Sequence, residues 1–320
     1  MKITIQSSIA TLVCVLIPAV LPAQYQPQGQ YSWDYWYARS GDTCHAYYLQ
    51  YPVNADQSQR HSRQTVGHAV SKDLSSWIEK PTALMALAGT WNDVGIATGS
   101  VVKKDGKWWM IFTGNSTSKG GIGLAYSTDL YTWIKQGNAP VIPGGTTFTT
   151  GWKGQTLACK PLADPYIYPE KTGDWYFLVI NSQVVDAPVG QRGCALMLKS
   201  ADLIKWQVHS IISYPGTFER METTQIWKAN GRWYLYFGGV TSSSHKNFVY
   251  IANAFDGPYA PQPWSEIFLP EGKRYYIAKV EKGANGHDIY LAGLEYRAVS
   301  EPYLVNYDKI TGEISLSKLN

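Results

Sequence analysis

A short unit recurs five times along this chain, and the recurrence limits its fold more than any other feature. The unit is a Gly-containing turn followed by an aromatic-rich strand. It reads Gly41-Asp42-Thr43-Cys44-His45-Ala46-Tyr47-Tyr48-Leu49, then Asp105-Gly106-Lys107-Trp108-Trp109-Met110-Ile111-Phe112. It returns as Thr172-Gly173-Asp174-Trp175-Tyr176-Phe177-Leu178-Val179 and as Asn230-Gly231-Arg232-Trp233-Tyr234-Leu235-Tyr236-Phe237. The fifth copy is Asn285-Gly286-His287-Asp288-Ile289-Tyr290-Leu291-Ala292. A second unit follows the first three copies: Ser71-Lys72-Asp73-Leu74-Ser75-Ser76-Trp77, Ser127-Thr128-Asp129-Leu130-Tyr131-Thr132-Trp133 and Ser200-Ala201-Asp202-Leu203-Ile204-Lys205-Trp206. It predicts a strand end, a tight turn on Ser and Asp, and a Trp opening the next strand. The fourth version, between Ala252 and Pro258, is degraded.

The turn glycines stand 55 to 67 residues apart, which leaves room for several short strands in each repeat. A β-solenoid would need shorter periods, a sandwich would not repeat this way, and no amphipathic helical window intervenes. The predicted fold is all-β, a five-bladed β-propeller. The chain after Leu291 is just long enough to complete the fifth blade. At the other end, Lys2, an apolar run from about Ile9 to Leu21 and a small Ala23 have the layout of a secretory signal peptide. The expected organisation is therefore a leader over 1–23 and one catalytic propeller over 24–320, secreted or periplasmic. The apolar run is too short for a comfortable membrane span, so no membrane anchor is expected.

Charged residues make up 16% of the chain and the net charge is +4, with no Lys/Arg run. Nucleic acid as a partner has no electrostatic footprint here. Thirteen Trp and 23 Tyr suit the stacking of flat, weakly polar ligands such as sugar rings, and also the filling of interfaces between sheets. Cys44, Cys159 and Cys194 follow the leader, and buried thiols are expected, with Cys159–Cys194 the one bridge to check. No Cys/His cluster indicates a metal, and no cofactor is expected.

In a propeller the inner strands converge on a central channel, so acids entering those strands are the candidates for chemistry. Four segments precede the Gly turns at similar offsets: Trp33-Asp34-Tyr35-Trp36, Ile96-Ala97-Thr98-Gly99, Leu162-Ala163-Asp164-Pro165 and Met221-Glu222-Thr223-Thr224. Three carry a carboxylate at what reads as the equivalent place, the head of an inner strand, and the second carries small Thr and Ser. Carboxylates gathered in a semi-buried pocket raise one another's pKa values. Glycoside hydrolysis uses that arrangement, with one carboxyl kept protonated and one ionised. His68, with apolar neighbours on its strand, reads as a core histidine. Arg192 and Arg220 read as ion-pair partners.

These segments resemble the five-bladed propeller glycosidases, closest to glycoside hydrolase family 32, with kinship to families 43 and 68. The likeness rests on Trp33-Asp34, His45 to Pro52, Gly67-His68-Ala69 through Trp77, Ala97-Thr98-Gly99-Ser100 with Asp105-Gly106-Lys107, Ala163-Asp164-Pro165 and Glu222. The resemblance implies Asp34 as nucleophile or base, Asp164 as transition-state stabiliser and Glu222 as general acid, on an oligo- or polysaccharide substrate. Glu219 is the rival acid; Glu222 is preferred because Gln225-Ile226-Trp227 continues it into a strand. Trp33, Trp36, Trp91 and Thr98 are the residues expected to shape the sugar site. Trp33-Asp34-Tyr35-Trp36 replaces the family's asparagine-aspartate-proline-asparagine-glycine segment, and Ala163 replaces the arginine before its aspartate. The reading is a β-fructofuranosidase-like enzyme. An inverting family 43-like arabinosidase, xylosidase or galactosidase and a non-catalytic sugar-binding propeller stand as alternatives.

Overall fold

The Gly turns close hairpins by backbone geometry. Asp105-Gly106 (φ 51 and 75) and Asn230-Gly231 (φ 47 and 76) place both central residues at positive φ. That conformation matches the twist of the flanking strands, and Asp-Gly or Asn-Gly adopts it at least cost. The computed structural model describes residues 25–118, 120–283, 285–294 and 296–319, and the expected leader, 1–23, lies outside the described residues.

The hairpins belong to five antiparallel sheets. Blade 1 runs outward through Gln30–Ser40, Thr43–Pro52, Thr65–Ser71 and Ile78–Leu84. Blade 2 begins at Gly95–Lys104, blade 3 at Gln155–Ile167, blade 4 at Arg220–Ala229 and blade 5 at Ile277–Lys282. These five inner strands touch one another in cyclic order, the fifth against the first, and so surround a channel. Closure uses the N-terminal segment: Val299 N donates to Tyr25 O at 2.9 Å, and Ser32 Oγ donates to Arg297 O at 3.2 Å. Blade 4 keeps only three strands, because the degraded repeat after Ala252 forms isolated bridges such as Ile251–Ala260. In blade 5, Tyr303–Tyr307 and Ile314–Lys318 complete the sheet.

There are five apolar clusters, and each lies between two neighbouring blades. Side chains alternate across a strand, so successive residues serve opposite neighbours. Trp36 and Tyr47 pack toward blade 2, while Tyr35, Tyr37 and Tyr48 pack toward blade 5. Both faces of every inner sheet are thus apolar, which accounts for the aromatic content.

The Ser/Asp units form one hydrogen-bonded turn three times over. Ser71, Ser127 and Ser200 each donate Oγ to the Asp two residues on and accept the N–H of the Leu three residues on. That Leu holds φ 64, 65 and 70 in the three copies. Ser200 is fully buried. Ser200→Ala strands the Leu203 N–H and is expected to cost about 1–3 kcal/mol, read as a lower urea midpoint at unchanged slope.

His68 is 1% exposed, shares a hydrogen bond of 3.0 Å with the His45 ring and packs against the rings of His45 and Tyr47, as a core histidine does. Cys44, Cys159 and Cys194 are buried thiols; Cys159 and Cys194 face each other with sulfurs 3.9 Å apart and unbridged. No helix among the described residues is long and apolar enough to cross a membrane.

Candidate active site

Four of the five inner strands slip out of register partway along their length. The slips fall between Trp33 and Trp36, Ala97 and Gly99, Ala163 and Tyr166, and Glu222 and Gln225. Blade 5 pairs without interruption. A bulge of this kind re-aims side chains out of the ladder. Asp34 (φ 48), Asp164 (φ 59) and Thr223 (φ 50) occupy the first bulged position in the left-handed region. Asp tolerates that region; a β-branched Thr there is strained.

This geometry corrects the expected register. Asp34 and Asp164 sit at mid-strand bulges rather than strand heads, and the residue equivalent to them is Thr223. Glu222 stands one position earlier, level with Trp33 and Ala163. The repeat aligns sequence offsets, whereas the bulges decide which residue turns toward the channel.

Asp34 is 8% exposed; its Oδ2 accepts from Thr98 Oγ1 at 2.6 Å, while its buried Oδ1 has no partner among the described residues. Asp164 Oδ2 accepts from Thr223 N at 3.1 Å and Asn181 Nδ2 at 3.3 Å. Glu222 pairs with Arg220 Nε at 2.9 Å and lies 3.7 Å from His245 Nε2. Burial pushes Glu222 up to about 7, with Asp164 adding to the rise and Arg220 opposing it. Burial also holds Asp34 well above the usual carboxylate range, reinforced by Asp164 and Glu222 and opposed by Thr98 and Lys279. Asp34 and Glu222 thus both hold their protons to higher pH than ordinary carboxyls do.

Blade 5 supplies the balancing charge. Lys279 is 4% exposed and donates Nζ to Thr223 O at 2.6 Å and Thr224 O at 3.2 Å, pinning the bulge beside Glu222. Burial lowers it to about 8, against the pull of Asp164 and Asp34.

Of the residues expected to shape a sugar site, Thr98 contacts Asp34. Trp33, level with Glu222, meets His61 and Tyr296 edge-on at 5.5 and 5.8 Å. Trp36 does not join them. It lies beyond the bulge, about 7 Å further along the strand, and packs against Tyr47 in the core. Trp91 stacks on Phe112 and fills the space over Gly114 and Gly123, where an added Cβ would come within 2.3 and 2.2 Å of its ring. Its role is packing.

Glu219 is engaged in its own loop, accepting from Gln183 Nε2 at 2.8 Å and Gly190 N at 2.6 Å and pairing with Arg192. Sequence reasoning missed His245, Tyr276, Asn181 and Lys279. Tyr276 stacks on His245 at 4.9 Å, and burial with the fields of Asp34 and Glu222 keeps its phenol protonated. They share no repeat position: Lys279 is on the inner strand of blade 5 and Tyr276 just before it, Asn181 is on the second strand of blade 3, and His245 opens the third strand of blade 4. Beside the acids a groove of about 490 Å³ runs from His61 past Gly114 and Gly121 to Leu162. Among the described residues no group of three or more His, Cys, Asp or Glu is placed to hold a metal.

Fold and site together define a five-bladed propeller with a carboxyl-lined channel mouth. Residues 36–223 match the profile of the glycosyl hydrolases family 32 N-terminal domain, and the chain belongs to that family. The match takes in Asp164 and Glu222 and begins two residues after Asp34. An acid beta-fructofuranosidase of Solanum lycopersicum is 29% identical over 198 residues, 57% of this chain and 27% of that protein. Sucrose-6-phosphate hydrolase of Bacillus subtilis (strain 168) is 27% identical over 161 residues, 49% of this chain and 30% of that protein. The matched stretches thus span between a quarter and a third of these curated relatives. Among solved structures, the Bombyx mori GH32 beta-fructofuranosidase superposes with a TM-score of 0.72 at 17% identity, over 93% of this chain and 65% of that one. The sucrose-6-phosphate hydrolase of Lactobacillus gasseri gives 0.74 at 16%, over 93% and 63%. At those identities the likeness is one of fold.

Proposed function

We propose that this chain is a glycoside hydrolase of the β-fructofuranosidase type, acting on the terminal furanoside of a small oligosaccharide. The observation that carries the reading is the convergence of Asp34, Asp164 and Glu222 from three blades, with Asp164 accepting from the Thr223 N–H that follows Glu222. Two relatives named for hydrolysis of fructofuranosides or sucrose 6-phosphate support the substrate class. The leader pattern over 1–23 supports a place of action outside the cytoplasm.

In this reading Glu222 is the general acid. Its carboxyl is protonated up to about pH 7 and gives that proton to the glycosidic oxygen as the C–O bond breaks. Asp34 attacks the anomeric carbon from the other face, and water later releases the sugar as Glu222 takes a proton back. Asp164, held by Thr223 N–H and Asn181, accepts from sugar hydroxyls and favours the positive charge that builds on the ring. Among the described residues the buried atoms Asp34 Oδ1 and Asn181 Oδ1 have no hydrogen-bond partner.

Hydrolysis of sucrose, kestose and inulin, beside aryl arabinofuranosides, xylosides and galactosides, tests the proposal. Release of fructose with retained anomeric configuration, followed by NMR, agrees with it. The small Ala163 in the arginine position favours a second reading, an inverting arabinosidase, xylosidase or galactosidase, which inversion on those aryl substrates would establish. Binding of sugars without turnover of any of them would refute catalysis. A pH profile adds a signed prediction. Arg220 holds the Glu222 pKa down, so Arg220→Met should move the basic limb of kcat/KM to higher pH.

A further inference from the structure

Glu222 has a different neighbour at each carboxyl oxygen. Arg220 Nε stands 2.9 Å from Oε1, and His245 Nε2 faces Oε2 at 3.7 Å. Arginine can only donate, so the proton of the neutral carboxyl belongs on Oε2, the oxygen beside the imidazole. That proton is the one a glycosidic oxygen needs as its bond breaks.

Three features fix the imidazole where it is. His245 opens the third strand of blade 4, and the turn before it closes on itself: Thr241 N donates to Ser244 O at 2.9 Å, and Ser244 N donates to Thr241 Oγ1 at 3.1 Å. Tyr276 stacks on the ring at 4.9 Å and is itself stacked on Tyr296 at 5.6 Å. The third feature is a missing side chain. Gly238 is the register partner of Glu222 and stands two residues before Val240, the partner of His245. A Cβ on Gly238 would come within 2.5 Å of His245 Nε2 and 2.9 Å of its Cε1. Aromatic packing alone accounts for the stack on Tyr276, but not for a ring nitrogen aimed at Oε2 across a glycine.

The charge of the ring suits the same role. Burial, helped by Arg220, lowers His245 to about 4, so the imidazole is neutral where Glu222 carries its proton. A cation in this place would favour the ionised carboxylate, whereas a neutral ring leaves the proton on. A separation of 3.7 Å is outside hydrogen-bond range, and closing by about 0.7 Å would make the bond. Contacts of this kind tighten when a substrate completes the site.

We propose that His245 is a positioning residue for Glu222, holding the carboxyl in the orientation from which Oε2 gives its proton to the leaving oxygen. The proposal rests on the reading of Glu222 as the general acid. His245 acts through that carboxyl and does not bind the sugar.

Steady-state kinetics on two substrates, one releasing an alcohol and one an acidic phenol, test it. His245→Phe keeps the stack on Tyr276 and loses the nitrogen. His245→Gln gives up the stack and keeps a neutral amide within the reach of Nε2. Gly238→Ala pushes the ring away from Oε2. His245→Phe and Gly238→Ala are each expected to lower kcat about tenfold on the alcohol-releasing substrate, the cost of misaligning one catalytic group. KM should hold, the phenol-releasing substrate should lose little, and His245→Gln should recover most of the loss. The proposal is overturned if His245→Phe keeps full activity while His245→Gln loses it, since the ring would then serve packing only. Equal losses on both substrates overturn it as well, as does a raised KM at unchanged kcat, which would make His245 a sugar contact. If one variant loses its fold by circular dichroism, the other two carry the comparison. Glu222→Gln measured alongside separates the two readings. A leaving-group dependence there, with none in His245→Phe or Gly238→Ala, refutes this proposal alone; none in Glu222→Gln refutes the general acid itself.

Discussion

Glu222→Gln is expected to lower kcat/KM by about 10²–10⁴-fold on a substrate whose leaving group is an alcohol, the range lost when a general acid is removed. On an aryl glycoside with an acidic phenol the loss should be far smaller, because that leaving group departs without a proton. Asp34→Asn should lose activity on both substrates, since it removes the proposed nucleophile. The contrast separates two carboxyls that share one pocket. Glu219→Gln is the control: its carboxyl holds Gln183, Gly190 and Arg192 in a loop. Its loss should lower stability without any dependence on the leaving group. A leaving-group dependence in Glu219→Gln, absent from Glu222→Gln, would transfer the acid role to Glu219.

Lys279→Met is expected to be the most damaging single change away from the acids. The substitution leaves the Thr223 and Thr224 carbonyls unpaired and three carboxyls without their buried cation. Breaking a buried charge arrangement by removing one partner costs about 3–5 kcal/mol. The sign of its pH dependence follows from the Asp34 carboxyl, which Lys279 holds down and which burial already raises. Without the ammonium that pKa rises further, so the folded state binds more protons than the unfolded one, and stability falls as pH rises. The deficit relative to wild type should therefore be largest above neutrality and shrink as the pH is lowered and the carboxyls protonate. Urea unfolding of both proteins at a neutral and an acidic pH reads this directly. An equal deficit at both would reduce Lys279 to a packing residue.

The blades were legible because their signals are local. Asp105-Gly106 and Asn230-Gly231 specify hairpin turns within four residues, and Ser200 with Asp202 closes its turn within three. Alternating apolar residues on both strand faces announced sheets packed on each side. The acids Asp34, Asp164 and Glu222 could be picked out for the same reason, being tied to the repeats at similar offsets. Trp36 and Trp91 show where that reasoning stops. Both were expected to shape the sugar site, yet one lies past a bulge and the other covers two glycines 23 and 32 positions further on.

By itself the sequence determined the number of blades, the turns that close them and the residue types available at the channel, since each depends on neighbours within about ten positions. The tertiary structure alone decided that Thr223 rather than Glu222 shares the register of Asp34 and Asp164. It likewise decided that the buried Lys279 of blade 5 lies in the field of Asp34 and Asp164, and that Tyr276 stacks on His245 beside Glu222. Those outcomes depend on strand slips and on side chains 23 to 245 residues apart meeting one another. No local propensity encodes such meetings; they arise when the fifth blade closes against the first.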